Sequence, residues 1–199
     1  MKKLFNVVFC LALGALISLS FYAWKEKKAI ADKVLRLHIV AESDSEYDQM
    51  IKLEVRDAVL KEASRLFNGA ENKAEALSMA RENKSLFEDA AKKVLKESGC
   101  NLPVTVEVEK TRFPLKFYEN IRLPAGVYDA LNVKIGTGKG ENWWCIMYPA
   151  LCFVNGISGK MDYEGEKQLK EELGEERFRL VTDTDDRKIR IKFRILEIF

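Results

Sequence analysis

Residues Leu4 to Trp24 carry no charge, and no other feature limits the fold of this chain as much. As a helix, that run would reach about 31 Å, roughly the hydrocarbon thickness of a bilayer. A helix apolar on every side would need a larger protein than this to cover it, so a core position is a poor reading. Lys2 and Lys3 precede it as a positive n-region, and Val7 to Ile17 is its most apolar part, of signal-peptide length. Export across a membrane is the expectation. Residues 1–24 then form either a cleaved signal peptide or a retained N-terminal anchor. Ser18 and Ser20 form a small-x-small pattern before Phe21. Ala29 and Ala31 form another, separated from the apolar core by Lys25, Lys27 and Lys28. Residues 25–33 read as a spacer, and residues 34–199 as a single extracytoplasmic domain.

The rest of the 199-residue chain is composed like a folded protein, with 47% hydrophobic and 32% charged residues, which argues against disorder. The net charge of +2 comes from Lys2 and Lys3; beyond residue 24 the basic and acidic residues balance. No basic stripe with interleaved aromatics is present, so nucleic acid is not an expected partner.

Hydrophobic periodicity divides the domain. Leu35, Leu37 and Ile39 alternate with Arg36 and His38, a strand pattern over 34–41 with its polar side chains on the other face. Ser45 and Asp48 then resemble a capping box. A helix over about 46–67 follows, with one apolar stripe through Ile51, Val55, Ala58, Val59 and Leu66, and a second through Leu53, Leu60 and Phe67. Two stripes predict packing against two partners. Asn68-Gly69 stops it. A second helical region spans about 71–98, with a candidate break at 83–85 and an end at Gly99. The period then becomes two. Val104, Val106 and Val108, then Leu131, Val133 and Ile135, then 143–148, and finally Ile189, Ile191, Phe193 and Ile195 all read as strands with one apolar and one wet face. Residues 164–173 read as a short charged helix. The fold class is therefore α+β: a mostly antiparallel sheet with a helical pair on one face, preceded by the apolar signal or anchor helix.

The chemistry-bearing residues are few. Gly136-Thr137-Gly138-Lys139-Gly140 lacks the helix that a phosphate loop needs and reads as a hairpin turn leading to the 143–148 strand. Asp183, Asp185 and Asp186 lack the rest of a calcium loop and read as a solvated turn. His38 is the sole histidine. With Ser43 and Asp44 it would be the only route to a hydrolytic triad, but no Gly-x-Ser-x-Gly elbow exists. No metal, cofactor or small-molecule substrate is expected, and no catalytic residue is assigned.

Cys145 and Cys152 close a short loop, and an exported location favours a disulfide there; the alternative is two reduced, buried thiols. Trp143 and Trp144 are adjacent, so on a strand they point to opposite faces. Either one of them is exposed as a contact residue, or both are covered, one in the core and one under the cysteine loop.

Two blocks together carry a specific resemblance. The first is Leu35-Arg36-Leu37-His38-Ile39-Val40-Ala41-Glu42-Ser43-Asp44-Ser45, continuing through Asp48-Gln49 to Val55-Arg56-Asp57-Ala58-Val59-Leu60. The second runs from Leu123-Pro124-Ala125-Gly126 through Tyr128-Asp129-Ala130-Leu131 to the Asn142–Phe153 segment. Over about residues 34–155 the chain resembles the stage II sporulation protein R family. Glu42 stands where that family usually has Asn, and Ala150 where it often has a second Pro. The resemblance implies a non-enzymatic signal made in the forespore and exported into the space between forespore and mother cell. There it would activate a membrane aspartic protease of the mother cell that processes the sigma-E precursor. It supplies no catalytic residues. Trp143, Trp144, His38 and Asp44 are expected partner-binding residues by type and position, and the N-terminal segment would hold the membrane if uncleaved. The competing expectation is an exported cell-wall hydrolase using His38 and Asp44.

Overall fold

A computed structural model of the chain describes residues 2–118, 121–149 and 163–182, except the side chains of Tyr163 and Glu164. The strand expected over 189–195, the aspartates at 183–186 and Cys152 lie outside the described residues.

Helix α1 spans Lys2–Ala31, and the large apolar side chains from Leu4 to Trp24 are exposed. By length and composition it can cross a membrane. The segment 25–33 is helical through Ala31, and Ile30 and Ala31 are buried in the domain. Glu26 accepts from Arg177 at 2.8 Å, so the end of α1 is fastened to the domain.

Strand β1 (Leu35–Val40) leads into α2 (Glu46–Leu66), α3 (Lys73–Glu82) and α4 (Lys84–Glu97). The expected start of α2 is present: the Ser45 hydroxyl accepts from the Asp48 amide at 3.2 Å. The Asp48 carboxylate does not complete a capping box, because it accepts instead from the Ser43 hydroxyl. The break between α3 and α4 falls at Asn83, whose side-chain amide donates back to the Met79 carbonyl at 2.9 Å.

After α4 come β2 (Val104–Phe113), β3 (Lys116–Tyr118), β4 (Ile121–Leu123), β5 (Gly126–Ile135) and β6 (Asn142–Tyr148), then α5 (Tyr163–Leu173) and α6 (Glu175–Thr182). The main sheet has the order β2-β5-β1-β6. β2 pairs antiparallel with β5 and β1 antiparallel with β6, while β1 and β5 run parallel; β3 and β4 form a separate antiparallel pair. The sheet is thus mostly antiparallel, as expected, but its central pairing is parallel.

One expectation is corrected by this order. β5 and β6 do not form a hairpin across the glycine turn, because β1 lies between them. The turn instead crosses the C-terminal end of β1. The Gly140 amide donates to the Ala41 carbonyl at 2.9 Å, and the Lys139 amide to the Glu42 carbonyl at 3.3 Å. This crossing explains the glycines better than a hairpin does. Gly138 has φ +67°, and a side chain at Gly140 would strike the Ser43 backbone.

The sheet is also covered on both faces where one wet face was expected. On one face, Leu35, Leu37, Ile39, Val106, Leu131 and Val133 pack against α2, α3 and α4 through Val55, Val59, Ala80, Phe87 and Ala91. On the other, Phe113, Tyr128, Ala130 and Ile146 meet Ile30, Ile121, Leu123, Leu169 and Phe178. Arg36, placed by alternation on the wet face, is 0% exposed as a result. The described residues leave the end of this second face around His38 partly open.

The second apolar stripe expected on α2 is covered only in part. Leu60 and Phe67 are buried, but Leu53 is exposed. Lys52 and Arg56 are buried instead, their stems lying along the core and their heads reaching polar or aromatic groups.

Candidate functional site

The register places Asn132, His38 and Trp144 in one row across β5, β1 and β6. The His38 ring stacks on Trp144 at a centroid distance of 3.9 Å and an interplanar angle of 9°. Phe113 stands edge-on to Trp144 at 4.7 Å. Beside this stack, Asn132 and Asn142 flank the imidazole. His38 Nδ1 lies 3.0 Å from Asn132 Oδ1, and Nε2 lies 2.7 Å from Asn142 Oδ1. The Asn132 amide nitrogen donates to Thr111 at 2.7 Å and to Glu109 at 3.3 Å. That fixes Asn132 Oδ1 toward the ring, so Nδ1 carries a proton and donates. The result is a half-buried aromatic platform bordered by amides, a hydroxyl and a carboxylate.

Such a surface can bind. Its hydrogen bonds do not activate a nucleophile. The Ser43 hydroxyl is committed to Asp48, and Asp44 Oδ1 accepts from the Glu141 amide at 2.7 Å. Ser43, His38 and Asp44 are therefore neighbours in sequence without forming a triad. Among the described residues no group of His, Cys, Asp and Glu could hold a metal ion.

The structure brings together only part of the expected site. His38 and Trp144 share the platform. Asp44 is adjacent in space but acts as a clamp, holding Glu141 at the entry to β6. Trp143 points to the opposite face, half-buried against the main core, with the Arg56 guanidinium 4.6 Å from its ring centroid. Its indole nitrogen is buried without a hydrogen-bond partner among the described residues.

Several contributing residues escape a reading by sequence. Lys52 donates to the Glu141 carbonyl at 3.2 Å, tying α2 to the same loop. Burial lowers the Lys52 pKa, and the neighbouring Glu141 and Asp44 partly oppose this. Glu42 accepts from the amide and, at 3.0 Å, the hydroxyl of Thr137. Its carboxylate thereby pins the glycine loop. Asn132 had one signal, a polar residue inside a strictly alternating strand; nothing local pointed to its contact with His38.

Cys145 is buried on β6, 4% exposed, and Cys10 and Cys100 are free thiols. Its expected partner, Cys152, lies outside the described residues. Exported protein is expected to have an intact mass lower by two hydrogens before reduction than after it. Peptide mapping should place the link between Cys145 and Cys152. A mass unchanged by reductant would rule the bond out.

Comparison with known proteins places these features. The sequence profile of stage II sporulation protein R matches residues 31–158, which contain the six strands found among the described residues. The chain is 34% identical over 179 residues to stage II sporulation protein R of Bacillus subtilis (strain 168), covering 85% of this chain and 80% of that protein. No solved structure matches it significantly. With a profile match that spans the four described strands of the main sheet and the His38–Trp144 row, the chain belongs to the stage II sporulation protein R family.

Proposed function

We propose that the chain is an exported sporulation signal that activates a membrane aspartic protease of the mother cell, and through it the processing of the sigma-E precursor. It would act in the space between forespore and mother cell. The family match across residues 31–158 carries this reading, and it supports a role in sporulation directly. The exposed, apolar α1 is compatible with a signal peptide or an anchor. The His38 nitrogens, engaged by two amides, favour recognition over the competing hydrolase reading.

Within this reading, Trp144 and His38 form the contact surface, and Trp143 supports it from the core. The test is reconstitution of the full chain with the protease and the sigma-E precursor in membranes. Precursor cleavage is expected only when the chain is present. Trp144→Ala and His38→Ala should each reduce cleavage by roughly tenfold or more, as for an interface anchor, while melting cooperatively. Cleavage that proceeds equally without the chain would sink the function. Full cleavage with both folded variants would sink only the contact surface.

A further inference from the structure

The outward side of α2 exposes Tyr47, Met50 and Leu53, which are 47%, 48% and 37% accessible. Their spacing of three keeps them on one face, away from the buried stripe of the same helix. Of the three, only Leu53 belongs to the second apolar stripe expected on α2, whose Leu60 and Phe67 are buried; the described residues leave Tyr47, Met50 and Leu53 exposed. Beside the stripe lies a groove of about 550 Å³ between α2 and α4, lined by Tyr47, Met50, Glu54, Val94, Glu97 and Ser98.

The groove is built. The Tyr47 hydroxyl donates to the Ser98 carbonyl at 2.9 Å, and the Ser98 hydroxyl donates to Glu54 at 2.9 Å, bracing both helices. Its apolar lining includes Met50 and Val94. The charges among its lining residues have one sign, from Glu54 and Glu97, and Glu46 adds a third carboxylate to the same side of α2. Lys93 pairs with Glu97 at 3.9 Å and offsets part of its charge, which leaves Glu54 and Glu46 to set most of the sign of this side.

We propose that this groove docks a basic amphipathic segment of a partner protein. Aliphatic side chains would seat over Met50 and Val94, and flanking Lys or Arg residues would meet Glu54 and Glu97. The sign of the rim selects the occupant. Anionic lipid would be repelled, and the groove lies across the sheet from the layer that holds the end of α1. A second copy seated through the same face would set carboxylates against carboxylates. The inference stands apart from the signalling role assigned to the His38–Trp144 face.

The test uses the full chain in a non-ionic detergent and a synthetic amphipathic helix of Leu and Lys, followed by fluorescence anisotropy. A matched helix of Leu and Glu is the control. The Lys helix is expected to bind and the Glu helix not to bind. Glu54→Gln with Glu97→Gln, and separately Met50→Ser, should each weaken binding by about tenfold, with unchanged melting. Added salt should weaken the wild-type complex. Equal binding of both helices, or undiminished binding by the folded variants, overturns the proposal. So does a result in which Met50→Ser leaves peptide binding intact but abolishes association with anionic vesicles, or converts a dimer to a monomer.

Discussion

Asp129→Ala is expected to destabilise the domain by about 3–5 kcal/mol, measured by urea unfolding of the full chain in detergent. Asp129 lies on β5 and is 6% exposed. Its carboxylate accepts from Lys73, the first residue of α3, itself 7% exposed, and from Lys110 at 3.2 Å. Lys110 is largely in solvent and adds little. Removing the carboxylate leaves the Lys73 ammonium buried against the sheet without its counter-charge, which is the costly half of breaking such a pair. Replacing both residues together, Asp129→Leu with Lys73→Met, should recover much of the loss. The pair also sets an acid dependence. Burial alone would raise the Asp129 pKa, but the hydrogen bonds and charges of Lys73 and Lys110 outweigh it and hold the group below the usual carboxylate range. A lowered native pKa means the contribution is complete above the unfolded value, about 3.9, and is lost as pH falls through the native value. The stability gap between wild type and Asp129→Asn should therefore be widest at neutral pH and narrow below about pH 4. A gap that stays constant, or an Asp129→Ala cost under about 1 kcal/mol, would mean that the pair does not fasten α3 to the sheet.

How far the sequence foretells such features depends on whether the deciding contact is local. The start of α2 at Ser45 and the break at Asn83 were legible, since each is set by side chains within a few residues. Period two was enough to put Trp143 and Trp144 on opposite faces, and it correctly set His38 opposite Leu37 and Ile39. It could not show that β1 enters between β5 and β6, because Leu37↔Leu131 and Leu37↔Cys145 pair residues distant in sequence. The glycine turn was visible, but its partner strand was not. The stacking of His38 on Trp144 follows from that same insertion. Asp44 was expected at a contact surface by its type and position; that it also accepts from the Glu141 amide, 97 residues away, was not visible in the sequence. Lys52 and Arg56 interrupt no apolar count when placed on a solvent face, so their burial required knowing that Trp143 and Glu141 stand above them.

Arg36 heads the large, fully buried side chains among the described residues, and Arg36→Ala is expected to cost about 3–4 kcal/mol. Its Nε donates to the Cys145 carbonyl at 2.8 Å and its Nη2 to the Tyr118 hydroxyl, which in turn donates to the Trp144 carbonyl at 3.2 Å. The guanidinium carbon lies 4.2 Å from the Phe113 centroid, 5.0 Å from that of Tyr128 and 5.5 Å from that of Tyr118. Burial lowers the Arg36 pKa and raises that of Tyr118, which Arg36 partly counters. The guanidinium stays charged at neutral pH from its very basic starting value. Three aromatic faces stand where a carboxylate would be conventional, and they favour the cation without competing for its hydrogen bonds. Truncation removes those contacts, opens a cavity and takes one donor from the Cys145 carbonyl. The relieved desolvation of the charge keeps the net cost below the sum of these parts. Arg36→Met fills the space and should cost about 2 kcal/mol. Arg36→Lys should cost more than Met, because a compact ammonium cannot span both acceptors or lie flat on the rings and is costlier to desolvate. Phe113 touches both the Arg36 guanidinium and Trp144, so Arg36→Ala should also weaken the near-ultraviolet circular dichroism of the Trp144–His38 stack. If Lys proves milder than Met, bare positive charge matters more than guanidinium shape. If Ala costs under about 1 kcal/mol, the aromatic cage does not organise the platform at all.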